Sequence, residues 1–279
     1  MRRRFQALSI ALALQLVMVL SGPVSAITFG EFDGTDHPNV GSMVVNVPEL
    51  ELELLQWCSG TLISPTVFLT ASHCTDFLEQ IAPQFPEMEV LVTFDPTITA
   101  DGTFYTGTMH TNPKYNAFQG PKGMSDPGDI AVIVLDSAPA GITPASLPTA
   151  GLLDQLSKSK VLKHTMFTAV GYGTVRNTMT GSFQTIEENL DRNRVDQSFF
   201  SLTKSWITLS MVNTPGHESG GTCYGDSGGP HFIHLNGEET DIVTSITVTG
   251  DAPCKATDKT YRTDTPSART FLADFVDLP

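Results

Sequence analysis

From Ile27 onward the chain alternates short apolar runs with Gly, Pro, Asn and Asp, and this punctuation restricts the fold more than any other feature. A strand crossing a small sheet needs only a handful of residues before a turn, whereas a helix needs a longer run with apolar residues three and four apart. Segments 43–47, 62–70, 89–93, 130–135, 165–170, 205–209 and 242–248 read as strands. Helical spacing is confined to the tail, where Ala268, Phe271, Leu272, Phe275 and Val276 recur behind Thr265-Pro266, a cap followed by Pro at the first helical position. The pattern predicts an all-β sandwich or barrel closed by a short C-terminal helix. A chain of 279 residues is long for one core. Stretch 137–153, rich in Pro, Ala, Gly and Ser, is the natural connector between two halves.

The beginning of the chain has a different character. Arg2, Arg3 and Arg4 precede an apolar run over 7–20, and Val24-Ser25-Ala26 fits a small-x-small cleavage site. Residues 1–26 are therefore expected to be a signal peptide, the apolar run being short of a membrane span, and the protein is expected to be secreted. Export would place the four cysteines where disulfides persist. Lys and Arg number 16 against 30 Asp and Glu, a formal net charge of −14, and removal of the three arginines makes the remainder more acidic still. A chain with no basic footprint is not expected to bind nucleic acid. With 40% hydrophobic residues it has enough apolar surface to build a core.

Three segments carry chemistry. In Gly225-Asp226-Ser227-Gly228-Gly229-Pro230 a serine sits among glycines, which permits a tight turn with the hydroxyl exposed and backbone N–H groups converging on one point. That suits a nucleophile beside an oxyanion hole, although an isolated Ser-Gly-Gly is more often a surface loop. His73 follows an apolar run in Leu69-Thr70-Ala71-Ser72-His73-Cys74, beside a cysteine able to anchor its loop. Asp129 opens the unbroken apolar run 130–135. Such a carboxylate is either a solvated turn residue or one whose burial is offset by a partner such as an imidazole N–H.

In the order His, Asp, Ser these segments resemble the chymotrypsin-like (trypsin-fold) serine proteases, and the resemblance extends from Ile27 to the C-terminal helix. It implies two six-stranded antiparallel β-barrels with the active site between them, 27–150 carrying His73 and Asp129 and 151–279 carrying Ser227 and the specificity pocket. It implies a secreted serine endopeptidase in which His73 is general base and acid, Asp129 orients it and Ser227 is acylated. The N–H groups of Gly225 and Ser227 would form the oxyanion hole. The cysteines alone permit three pairings; the resemblance selects Cys58 with Cys74 and Cys223 with Cys254. No Cys-x-x-Cys or spaced His cluster points to a metal, and neither metal nor cofactor is expected.

The same resemblance gives Asp226 a second role, pairing with a new amino terminus. Ile27-Thr28-Phe29-Gly30 stands where the family has Ile-Val-x-Gly, directly after the signal site, so signal cleavage itself is expected to create the activating terminus. Gly221 falls at the family's pocket floor, where trypsin-like members carry Asp. An apolar or small P1 residue is therefore expected, with Thr222 at the base, Val248, Thr249 and Gly250 as one wall, and Asp251 or Asp264 as the candidates for any negative charge. Expected partners are protein or peptide substrates and protein inhibitors, with no stable membrane anchor and a monomeric chain. The competing reading is a protease-fold binding protein without turnover; such chains usually lose a triad residue, and here all three positions are intact.

Overall fold

The computed structural model describes residues 27–116, 126–176, 186–212 and 220–279; the expected signal peptide, 1–26, lies outside the described residues. After a two-residue strand β1 (Glu31–Phe32), the first sheet is built from β2 (Val40–Val47), β3 (Leu52–Ser64), β4 (Val67–Thr70), β5 (Glu89–Thr93), β6 (Gly107–Thr111) and β7 (Ala131–Leu135). Its antiparallel order is β5-β2-β3-β4-β7-β6, and it curls until its two edges meet at the Val92–Tyr105 bridge. The stretch 62–70, read from sequence as one strand, is the end of β3, a reversal at Pro65-Thr66, and β4, with Ser64 opposite Val67. Apolar side chains on both arms hid the turn.

The second sheet comprises β8 (Met166–Gly171), β11 (Asn193–Leu202), β12 (Trp206–Ser210), β13 (Pro230–Leu235), β14 (Glu238–Gly250) and β15 (Thr257–Arg262), while β9 (Val175–Arg176) and β10 (Ile186–Glu187) pair with each other. The order is β1-β11-β12-β15-β14-β13-β8, and β8 also pairs with β11. That last pairing closes six strands into a ring and leaves β1 as an added strand on β11. The protein is thus mostly β, with six strands in the first sheet and a ring of six, with β1 added, in the second.

Among the described residues the α-helices are few: α1 (Ser72–Ile81), α2 (Leu152–Lys158) and α3 (Pro266–Leu272). The predicted tail helix is α3, and Thr265 Oγ1 caps it by accepting the Ala268 N–H at 3.2 Å. α1 escaped the sequence reading because its buried face is Ser72, Cys74, Thr75 and Leu78, mostly small and polar, so no apolar stripe announces it. Among the described residues no helix is long and apolar enough to cross a membrane.

One apolar cluster runs through both sheets, from Val44, Phe68 and Val132 to Val170, Phe232, Ile246 and Leu272. Polar clamps join the same layers. Arg192, 1% exposed, bonds Asp33 (2.8 Å), the carbonyls of Val40 (3.0 Å) and Phe94 (2.9 Å), and the Tyr172 hydroxyl (3.1 Å). A buried guanidinium persists only when its donors are filled in this way. Beside it His37 lies between Asp33 and Glu239. Burial opposes charge on that imidazole, but the two carboxylates prevail and push it up to about 9.

Candidate active site

β4 delivers the chain to Thr70, Ala71 turns it, and His73 is the second residue of α1. Two ties fix this corner. The Cys58–Cys74 disulfide, with Cα atoms 6.4 Å apart, binds α1 to β3. Ser72 Oγ donates to the Ile130 carbonyl (2.7 Å) and accepts the Asn112 N–H (3.2 Å). The second tie brings the chain before β7 alongside, so that Asp129 meets His73 twice. Asp129 Oδ1 accepts the His73 backbone N–H at 2.9 Å, and Oδ2 lies 3.0 Å from Nδ1. Asp129 is buried at 4% exposure, while the His73 side chain is 30% exposed. A carboxylate in this position keeps the proton on Nδ1 and leaves Nε2, on the open side, free to accept another.

Ser227 lies in a loop that only glycine permits. Gly225 has φ +92° and Gly228 φ +81°. A Cβ on Gly225 would stand 2.2 Å from Gln56 Oε1, and one on Gly228 2.2 Å from Thr70 Oγ1. The loop is held against the first sheet at close range. The Ser227 carbonyl accepts the Ser59 N–H (2.9 Å), and the Gly225 carbonyl accepts from Gln56 Nε2 (2.9 Å) and Ser59 Oγ (3.0 Å). Cys74 Sγ is 4.0 Å from the same Ser227 carbonyl, so the serine and histidine segments meet across β3. The N–H groups of Gly225 and Ser227 have no partner among the described residues. Nor does any hydrogen bond there join Ser227 Oγ to His73 Nε2; such contacts commonly tighten only around substrate.

Asp226 points the opposite way, into the protein, where it is wholly buried and accepts the N–H groups of Gly173 (2.8 Å) and Cys223 (2.8 Å). Burial pushes this carboxyl up to about 7; the two N–H bonds pull it down, and the charge of Asp258 adds to the rise. Gly171 and Gly173 make room for it, since a Cβ on either would come within 2.6 Å of a carboxylate oxygen or carbon of Asp226. The pairing of Gly-Tyr-Gly with Asp226 thus has a steric cause. Ile27 is fully buried with Ala169 and Val195. Its neighbour Thr28 exchanges backbone hydrogen bonds with Gly221 (2.9 and 3.0 Å), just before Cys223.

Beside Ser227 lies a cavity of about 220 Å³, lined by Thr222, Val248, Thr249 and Gly250 among others. Gly221 is not among the described lining residues. It sits behind the wall, where a Cβ would meet Met211 Cγ and Gln197 Nε2 at 2.4 Å, so Met211 already fills the space a larger residue would need. Asp264 is also removed from the pocket: it binds Arg262 (2.9 Å) and caps the Leu153 N–H (2.9 Å). Asp251 lines the cavity, but its oxygens accept three backbone N–H groups, from Lys255, Ala256 and Thr257. Sequence reading missed Asp258, wholly buried, opposite Gly250 in register and 3.0 Å from His231 Nε2. Nothing in the linear sequence marks that pair. The second disulfide, Cys223–Cys254, joins the serine loop to the far side of the cavity. Sulfurs near His73 are both in a disulfide, so they offer no thiolate to a metal.

The Trypsin family model matches residues 35–272, a span that includes His73, Asp129 and Ser227. The chain belongs to the trypsin family. Among solved structures, HL collagenase resembles it with a TM-score of 0.56 and 15% identity, covering 85% of this chain and 93% of that one. Identity so low carries the fold and nothing finer. Family membership makes the chain a chymotrypsin-like serine protease by class, with protein or peptide substrates, and the trypsin fold accounts for both curled sheets.

Proposed function

We propose that this trypsin-family protein is a secreted serine endopeptidase that works through an acyl-enzyme on Ser227. The observation that carries the reading is the double contact of Asp129 with His73, at 2.9 and 3.0 Å from one buried carboxylate. Ser227 Oγ attacks the scissile carbonyl carbon while His73 Nε2 takes the hydroxyl proton. The resulting oxyanion lies against the unpartnered N–H groups of Gly225 and Ser227. The C–N bond then breaks as His73 passes its proton to the leaving amine. Water, deprotonated by His73, releases the acyl group and restores the serine. The first half, 27–150, supplies the base and its orienter; the second, 151–279, supplies the nucleophile and the pocket.

Activation follows from Asp226 and Ile27. A wholly buried carboxyl with two backbone donors and, among the described residues, no cation is an acceptor for an ammonium group, and a chain cut before Ile27 would supply one. The pocket, walled by Thr222, Val248, Thr249 and Gly250 with Met211 behind, favours an apolar or small P1 side chain. Digestion of a peptide library by the secreted protein, with its amino terminus sequenced, tests all of this together. The reading expects a start at Ile27 and cleavage after Leu, Phe, Met or Ala that His73→Ala abolishes. Preferred cleavage after Arg or Lys contradicts the pocket assignment, and full activity from a different amino terminus contradicts the activation step.

A further inference from the structure

On the face of the second sheet that carries Phe232, four polar side chains from four strands converge, and none takes part in the site described above. Thr168 of β8 lies directly opposite Asp196 of β11, and His234 of β13 directly opposite Glu239 of β14. Thr168 Oγ1 is 2.7 Å from Asp196 Oδ1, 2.7 Å from Glu239 Oε2 and 2.8 Å from His234 Nε2. One ligand atom from each of Asp196, His234 and Glu239 falls within 4.8 Å of the other two.

With both carboxyls ionised, the protons do not suffice for these contacts. A threonine hydroxyl has one proton and an imidazole Nε2 at most one. If His234 donates to Thr168 Oγ1 and that hydroxyl donates to one carboxylate, the other carboxylate oxygen faces an oxygen at 2.7 Å with nothing between them. Hydrogen-bond contact at that distance requires a proton. A bound cation supplies the missing positive charge. From these contacts, we propose that Asp196, His234 and Glu239 form a binding site for a first-row divalent cation of the zinc type, with the Thr168 hydroxyl beside it.

Independent features of the surroundings support this. Glu239 is oriented from behind: its other oxygen, Oε1, meets His37 Nε2 at 2.6 Å, and His37 in turn is held by Asp33, which is locked to buried Arg192 at 2.8 Å. His37 also stacks on Phe232 at 5.1 Å between ring centroids. Ligating carboxylates characteristically have such an outer partner. The front is open, since the Asp196 side chain is 55% exposed, while Thr168 and His234 are recessed. The ligand set of one imidazole and two carboxylates selects borderline metals such as Zn²⁺ over Ca²⁺ and Mg²⁺, which prefer all-oxygen shells. Through Glu239, His37 and Arg192 the ion would tie the amino-terminal segment after Ile27 to both sheets.

The test uses the full secreted chain carrying Ser227→Ala, to prevent self-digestion, after stripping with chelator. Zn²⁺ is titrated against a chromogenic competing chelator, and melting is followed with Zn²⁺ or Ca²⁺. One equivalent of Zn²⁺ binds at micromolar concentration or below and raises Tm, while Ca²⁺ at the same concentration leaves Tm unchanged. Asp196→Asn and His234→Gln each weaken Zn²⁺ binding at least tenfold. Asp196→Asn, at an exposed position, keeps the Tm of the metal-free parent, which separates lost binding from lost folding. Affinity unchanged in both variants, binding only at millimolar Zn²⁺, or equal stabilisation by Ca²⁺ overturns the proposal.

Discussion

Replacing Asp129 by Asn changes one atom and reverses the electrostatics of His73. The carboxylate makes two contacts, accepting the His73 backbone N–H at Oδ1 (2.9 Å) and facing Nδ1 with Oδ2 (3.0 Å). An amide has one acceptor and one donor end, so its orientation is decided by which contact tolerates a donor. Turning the NH2 toward the backbone N–H would leave that buried donor unpaired, at a cost of about 1–3 kcal/mol. The oxygen therefore stays on the backbone N–H, and the NH2 points at Nδ1. Nδ1 must then accept, its proton moves to Nε2, and the histidine can no longer take a proton from Ser227. The expected loss in kcat is about 10⁴-fold, equal to about 5 kcal/mol of transition-state stabilisation. Because the backbone contact survives, Tm should change little. Stopped assays on a peptide ester, with active sites counted by titration, read the rate; calorimetry reads the fold. Activity of the Asn variant within tenfold of the parent refutes the reasoning, since the tautomer would then not matter.

Other perturbations test neighbouring parts of the account. Gly225→Ala puts a methyl 2.2 Å from Gln56 Oε1 at a residue with φ +92°; the displaced N–H should cost about 100-fold or more in kcat with KM less affected, and a KM effect alone would contradict the oxyanion role. Asp226 is pushed up to about 7 by burial while its unfolded value is 3.8, so in a chain not cut before Ile27 the unfolded state releases a proton the folded state keeps, and stability falls as pH rises from 4 to 7, by at most about 4 kcal/mol. In a chain beginning at Ile27 the ammonium holds that carboxylate ionised and the slope should vanish; identical denaturant-derived slopes in both forms would sink the activation step. Removing the Cys58–Cys74 bridge, which closes a loop of 16 residues, should cost about 3 kcal/mol in urea midpoints and lower activity too, because the bridge anchors α1 and His73. Loss of stability with full activity would show that the bridge does not position the base.

The parts of the molecule legible in the sequence were those with local signatures. Gly225 through Pro230 is legible because a tight turn demands glycine at particular places, and the apolar run after Asp129 because a strand must be continuous. α1 was not, since it buries Ser72 and Thr75 by hydrogen bonds to Ile130, Asn112 and Thr111 that join residues far apart in the chain. The pocket was half legible: Thr222 and 248–250 line the cavity, but that Gly221 is packed against Met211 instead could be found only once the chain after β12 was set beside the chain before β15. Asp258 with His231, and the three side chains around Thr168, are products of strand register alone. A register is fixed by the whole sheet, so no window of sequence contains it.

The most direct measurement is fluorophosphonate labelling of the protein beginning at Ile27 beside its Ser227→Ala variant, with the modified peptide identified by mass. An activated serine next to His73 predicts one label per chain, on Ser227, absent from the variant and strongly slowed in Asp129→Asn. A folded chain that starts at Ile27 and takes no label at Ser227 would contradict the account at its centre.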